Sequence, residues 1–74
     1  MTLDQMRPGS SCRIKGLSVR DKLGQRFLDM GIYPGTQLRV IRNAPLKDPM
    51  EISLEGSFVS LRHAEARFVE VELR

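Results

Sequence analysis

The sequence predicts a mainly β fold, a small barrel of about five short strands with one helix after the first strand. Three observations lead there. Five short stretches alternate apolar and polar residues with period two, the pattern of half-buried strands. Only Val19 to Met30 repeats its apolar residues at helical spacing. The chain has 74 residues, and a domain of that size buries only about 60% of the surface its unfolded chain exposes. Closing so small a sheet on itself removes exposed edges that a thin core cannot cover. One domain, residues 1–74, is expected.

The elements follow in order. Thr2 with Gln5 three residues later reads as a capping box, starting one helical turn that drops Leu3 and Met6 onto the core. Arg7-Pro8-Gly9-Ser10 is a turn. Cys12-Arg13-Ile14-Lys15 alternates as a strand, and Gly16 ends it or bulges it. Ser18 with Asp21 signals a helix start. Val19, Leu23, Phe27 and Met30 form its stripe, widened by Leu28. Gly24 inside the helix predicts a close approach of another backbone.

The corner from Phe27 to Gly35 organises both neighbours. Gly31 stands where a helix needs a left-handed residue to stop, and Ile32 folds back on Phe27. An alanine at Gly31 should cost roughly 1–2 kcal/mol. Tyr33-Pro34-Gly35-Thr36 has the sequence of a type II turn.

Thr36 to Arg42 is the next strand, with Leu38 and Val40 inward and Arg39 and Ile41 outward. Residues 43–49 are expected to be a loop bounded by Pro45 and Pro49. Met50 to Glu55 alternates as a strand. Gly56-Ser57 fits a two-residue II′ hairpin turn, which would set Leu54 opposite Val59, Ile52 opposite Leu61 and Glu51 opposite Arg62. His63 to Ala66 makes one tight turn. Phe68 to Leu73 is the last strand, with Val69, Val71 and Leu73 inward.

Composition excludes more than it selects. The single cysteine rules out an internal disulfide and suits a reducing compartment. No apolar run is long enough to span a membrane and no basic-then-apolar leader opens the chain. A cytoplasmic protein is expected, recruited to a membrane only through a partner. Twelve basic residues against nine acidic give +3, too mild an excess to argue for nucleic acid. Aromatic residues are 5% with no tryptophan, which weakens the case for a base-stacking platform.

Catalysis needs a nucleophile with a base, or paired carboxylates, in a cleft. Cys12 lies on an apolar strand face, where cysteine usually serves as a small core residue. His63, at a strand end, reads as a surface or turn-capping residue before it reads as a ligand. No zinc spacing and no phosphate-binding glycine loop occur. Asp, Glu or His63 offer at most weak, non-specific metal contacts. No enzyme, no cofactor and no preformed metal site are expected.

What remains is surface. Phe58 and Phe68 point to the polar side of their strands, either covered by a loop or free for a partner. Leu46 is the better candidate contact, because an apolar residue on a loop stiffened by two prolines loses little entropy on binding. Its alternative is to fold back as a lid on the core. The basic residues are spread over several elements and read mostly as a solvated face.

Several stretches, taken together in this order, resemble the FeoA family. They are Leu-Asp-Met-Gly-Ile-Tyr-Pro-Gly-Thr (28–36), Ala-Pro-Leu-Lys-Asp-Pro-Met-Glu-Ile (44–52), Gly-Ser-Phe-Val-Ser-Leu-Arg (56–62) and Phe-Val-Glu-Val (68–71), with the opening Leu3 to Gly9. The resemblance covers nearly the whole chain. It implies an SH3-like barrel and a stand-alone accessory role beside FeoB, a membrane ferrous-iron transporter with a cytoplasmic GTP-binding domain. The family's structural positions fall on Gly31, Pro34, Gly35, Pro45, Asp48, Pro49, Gly56, Leu61 and Arg62. Lys47 departs from the pattern, standing where glycine is common. No catalytic or metal-binding residue is implied.

The expectation is therefore a binding module for the cytoplasmic part of a ferrous-iron transporter. Leu46, Tyr33 and Phe58 are its contacts, and Arg39 and Lys47 steer the encounter. Two other classes stand beside it. A nucleic-acid-binding small barrel would draw on the pI near 9.6 and would lose affinity steeply with salt. An iron-binding sensor or chaperone would show a saturable ferrous site. Fold alone does not choose among them.

Overall fold

The computed structural model describes all residues, Met1 to Arg74. One five-stranded antiparallel sheet, ordered β4-β3-β2-β1-β5, curls round a single core as an SH3-like barrel. Its strands are β1 (Ser11–Leu17), β2 (Gln37–Ala44), β3 (Lys47–Leu54), β4 (Ser57–Leu61) and β5 (Val69–Leu73). Helix α1 (Lys22–Asp29) follows β1, and a one-turn helix α2 (His63–Ala66) joins β4 to β5. Fifteen buried apolar residues from every strand, α1, α2 and the N-terminal turn make the core. No helix is long and apolar enough to cross a membrane.

The N-terminal expectations hold. Leu3–Gln5 forms a 3-10 turn, the Thr2 N–H donates to Gln5 Oε1 at 3.0 Å, and Leu3 and Met6 are buried. Gly16 marks a bulge in the β1–β5 ladder.

The helix starts later than its first signal. Asp21, not Ser18, caps α1, its Oδ1 accepting from the Leu23 N–H at 3.1 Å. Ser18 instead donates its N–H to the Phe68 carbonyl, fastening the end of β1 to the start of β5. Val19 therefore lies outside the helix. Its carbonyl approaches Gly24 so closely that a Cβ there would sit 2.7 Å from it, which is the backbone contact the glycine implied. Leu28 is 44% exposed, because a two-turn helix buries only the stripe through Gly24 and Phe27.

The corner forms as read. The Ile32 N–H donates to the Phe27 carbonyl (2.8 Å) and the Gly31 N–H to the Leu28 carbonyl (3.0 Å). That pair of bonds is the Schellman stop, with Gly31 at φ +88°. Thr36 N–H closes the following turn on the Tyr33 carbonyl at 3.1 Å, with Gly35 at φ +94°.

Three expectations fail in the sheet. Residues 43–49 are no loop: β2 continues to Ala44, β3 begins at Lys47, and Pro45-Leu46 is a two-residue turn between them. The β3–β4 hairpin turns at Glu55-Gly56 rather than Gly56-Ser57. Its pairs are Leu54–Ser57, Ser53–Phe58, Ile52–Val59, Glu51–Ser60 and Met50–Leu61. The two registers differ by two residues, so every side chain keeps its face and alternation cannot separate them. The turn decides, placing Gly56 at its second position with φ +79°. Glu51 consequently pairs with Arg42 (3.3 Å), not Arg62. Leu73 is 57% exposed despite its inward parity, because β5 runs past the end of a core of only 15 buried residues.

Candidate partner-binding surface

The most unusual backbone in the chain is the β2–β3 turn. Pro45 presets φ for the first turn position, and the second must then be left-handed for the strands to pair. Leu46 fills it at φ +61°. It is the only non-glycine residue with positive φ, and its side chain is fully exposed, 103% of the reference value. A leucine in that region costs roughly 1–2 kcal/mol relative to an unstrained residue. The alternative that Leu46 folds back as a lid is thereby excluded. Lys47 follows it, exposed and pairing with Ala44 across the turn.

A polar clamp holds the turn from below. The Asn43 side chain donates from Nδ2 to the Asp4 carbonyl (3.0 Å) and the Met6 carbonyl (2.7 Å). Its Oδ1 is thus turned to His63 Nε2, 2.6 Å away. His63 Nδ1 lies 2.6 Å from Asp48 Oδ1, which also accepts the His63 backbone N–H at 2.8 Å. Both ring nitrogens lie within hydrogen-bond distance of an oxygen, one on each strand beside the turn. The backbone N–H of His63 and then its ring hold the Asp48 carboxyl below the usual carboxylate range. Asn43 and Asp48 flank the turn on its two strands, so the clamp fixes both feet of Leu46 to α2 and the N-terminal turn. Of the surface and turn-capping roles the sequence allowed His63, the structure shows the second, its ring bridging Asn43 and Asp48 beside the turn. Asn43 carried no signal, since its partners lie 20 and 37–39 residues away.

The other candidates lie elsewhere. Arg39, Ser53 and Phe58 are cross-strand neighbours on β2, β3 and β4 and form a row on the outer sheet face. Phe58 is 75% exposed there. Phe68 is the covered member of the phenylalanine pair, packed against the core with the Arg67 guanidinium 4.9 Å above its ring. Tyr33, half exposed, lines a groove with Gly31, Gln37, Leu54, Glu55 and Ser57 at the hairpin tip. The five candidate contacts therefore split in two. Leu46 and Lys47 sit at the β2–β3 turn, while Tyr33, Arg39 and Phe58 lie toward the opposite end of that hairpin.

Electrostatics sharpen the division. Arg13–Glu72, Arg26–Glu65 and Arg42–Glu51 are side-chain ion pairs, and the N-terminal ammonium holds Glu70 at 3.0 Å. Arg13 keeps the Glu72 carboxyl below its usual range. Arg39, Lys47 and Arg62 make no such pair. Cys12 is fully buried and burial pushes its thiol pKa up, the opposite of what a nucleophile requires. No three His, Cys, Asp or Glu side chains gather where they could hold a metal ion.

The FeoA domain model matches residues 1–73. A fusion of Fe(2+) transport protein A with the Fe(2+) transporter FeoB from Porphyromonas gingivalis is 34% identical over 73 residues, which are 99% of this chain and 9% of the fusion. A putative Fe(2+) transport protein A from Campylobacter jejuni is 30% identical over 73 residues, 99% of each chain. The solution structure of iron(II) transport protein A from Clostridium thermocellum superposes with a TM-score of 0.91 at 36% identity, covering 99% of this chain and 45% of that one. With its motifs, its sheet and its glycine corner in the same order along nearly its whole length, this chain belongs to the FeoA family, whose domain is associated with ferrous iron transport.

Proposed function

We propose that this chain is a non-enzymatic, cytoplasmic accessory protein of ferrous iron uptake, and that it docks on the cytoplasmic part of a FeoB-type membrane GTPase transporter. The observation that carries this reading is the Porphyromonas gingivalis fusion, in which a homologous domain shares one polypeptide with FeoB. Covalent linkage keeps two partners at high effective concentration, which supports a physical contact between a domain of this kind and the transporter.

The Pro45-Leu46 turn is the interface centre. Leu46 is fully exposed on a backbone that favours glycine, and strain of this kind concentrates at binding sites. The clamp of Asn43, His63 and Asp48 pre-orders the turn, so little entropy is lost when a partner pocket takes the leucine. Lys47, without an ion-pair partner, steers the encounter toward an acidic rim. Tyr33, Arg39 and Phe58 lie too far along the hairpin to share that pocket and serve a second surface.

Binding to the purified transporter, measured by titration calorimetry in each nucleotide state, tests the reading. Saturable binding by the wild type and its loss in Leu46→Asp, with an unchanged circular dichroism spectrum, is the expected result. Absence of binding in every nucleotide state would overturn the docking role.

A further inference from the structure

The two edges of the sheet are treated differently. The β5 edge is covered by the chain's own start. Val71 donates its N–H to the Met1 carbonyl at 2.8 Å, Thr2 bridges Glu70, and the Met1 ammonium pairs with the Glu70 carboxylate. The β4 edge has no such cover. Exposed edge strands are normally guarded by a charge, a proline or a bulge. Strand β4, Ser-Phe-Val-Ser-Leu, carries no charge and no proline, and its ladder with β3 runs without a register shift.

The hydrogen bonds determine which groups that edge presents. Val40 donates its N–H to the Ser10 carbonyl and accepts from the Gly9 N–H, so its backbone faces away from β3. Backbone direction alternates along a strand and carries across a ladder. Arg39 therefore bonds Ser53, Ile52 bonds Val59, and the backbone groups of Phe58 and Ser60 point outward from the sheet. Neither residue appears in any backbone hydrogen bond outside the strand ladders.

We propose that a second copy of this chain pairs antiparallel along β4, about a two-fold axis at Val59. Only that register engages both outward residues of both strands, with Phe58 of each copy opposite Ser60 of the other. Other antiparallel registers use one outward residue per strand. Three features make the edge self-complementary. The exposed phenyl ring of Phe58 faces a small serine, leaving it room to lie over the new ladder. The two Phe58 rings become diagonal neighbours, about 7–8 Å apart at their backbones and within aromatic reach. The same register brings Gly56 opposite Arg62 of the second copy, so the exposed Glu55 meets that guanidinium. Glu55 and Arg62 have no ion-pair partner within one chain, and symmetry forms the contact twice. The resulting interface is isologous and leaves the Pro45-Leu46 turn outside the paired residues.

Sedimentation equilibrium on the full chain, up to about 1 mM so that even weak pairing is populated, tests this. The mass should rise from 8.4 kDa toward twice that value. Phe58→Lys puts a charge on the edge at an exposed position and should weaken pairing roughly 30-fold or more while the circular dichroism spectrum is kept. Glu55→Arg alone should weaken it several-fold, and Glu55→Arg with Arg62→Glu should restore it. Leu46→Asp should pair as the wild type does. A chain that stays at 8.4 kDa throughout, a dimer indifferent to Phe58→Lys, or a double swap as weak as the single change would each overturn the proposal.

Discussion

The two turns that bound β3 solve one geometric problem with different residues. Pro45-Leu46 and Glu55-Gly56 both reverse the chain in two residues, and both put the second residue in the left-handed region, at φ +61° and +79°. Gly56 takes that conformation without strain. Leu46 takes it with strain, and holds an apolar side chain fully in solvent as well. Only the strained turn is braced, by the Asn43–His63–Asp48 clamp. Nothing about forming the hairpin calls for a leucine at that tip, since glycine would serve it better. The difference separates a turn that only connects from a turn that also presents something.

The comparison can be broken at four points, taken from the largest effect to the smallest. Asn43→Ala removes the donor to two backbone carbonyls and the acceptor to His63. Urea denaturation should show a loss of about 1–3 kcal/mol, against less than about 0.5 kcal/mol for Ser57→Ala on the exposed flank of the other turn. Equal losses would mean that the clamp does not brace its turn. Gly56→Ala should cost about 1–2 kcal/mol, because a Cβ must then sit at positive φ. Space is not the obstacle there, since no atom lies within 4 Å of that Cβ. Leu46→Gly should change stability by no more than about 1 kcal/mol, strain relief offsetting the added freedom of the unfolded chain. It should still weaken transporter binding, and stability and binding moving together would erase the distinction.

The last point is pH. Asp48 has its pKa lowered in the folded state by the His63 backbone N–H and ring. Its contribution is therefore present above the unfolded carboxylate value, near 3.9, and is lost as pH falls through the folded value. Acid unfolding of Asp48→Asn should lack that part of the pH dependence below about pH 4. A profile unchanged from wild type would mean that the carboxylate is idle.

Local rules carried much of the fold. The Thr2–Gln5 box, the Gly31 stop with Ile32 bonded to Phe27, and the Tyr33–Thr36 turn each close within six residues, so their partners are visible in sequence. Strand faces were also legible, because alternation depends only on parity. The hairpin register was not, since a two-residue shift preserves parity and leaves the choice to the turn. Nothing in the sequence marks Pro45-Leu46 as a two-residue turn, because leucine does not announce a left-handed residue. The clamp was invisible for a different reason: Asn43, Asp48 and His63 meet only after β2, β3 and α2 have packed. That Leu46 is apolar and follows a proline is visible in the sequence, but the strain that marks it belongs to the backbone.

The most direct test of the central claim is a transporter-binding titration of Leu46→Asp beside Gly56→Ala, two substitutions at matching positions of the two turns. The account predicts that Leu46→Asp abolishes binding with the fold intact, while Gly56→Ala loses stability and binds as the wild type does once folded. Binding that survives Leu46→Asp, or that fails equally in both, would contradict it.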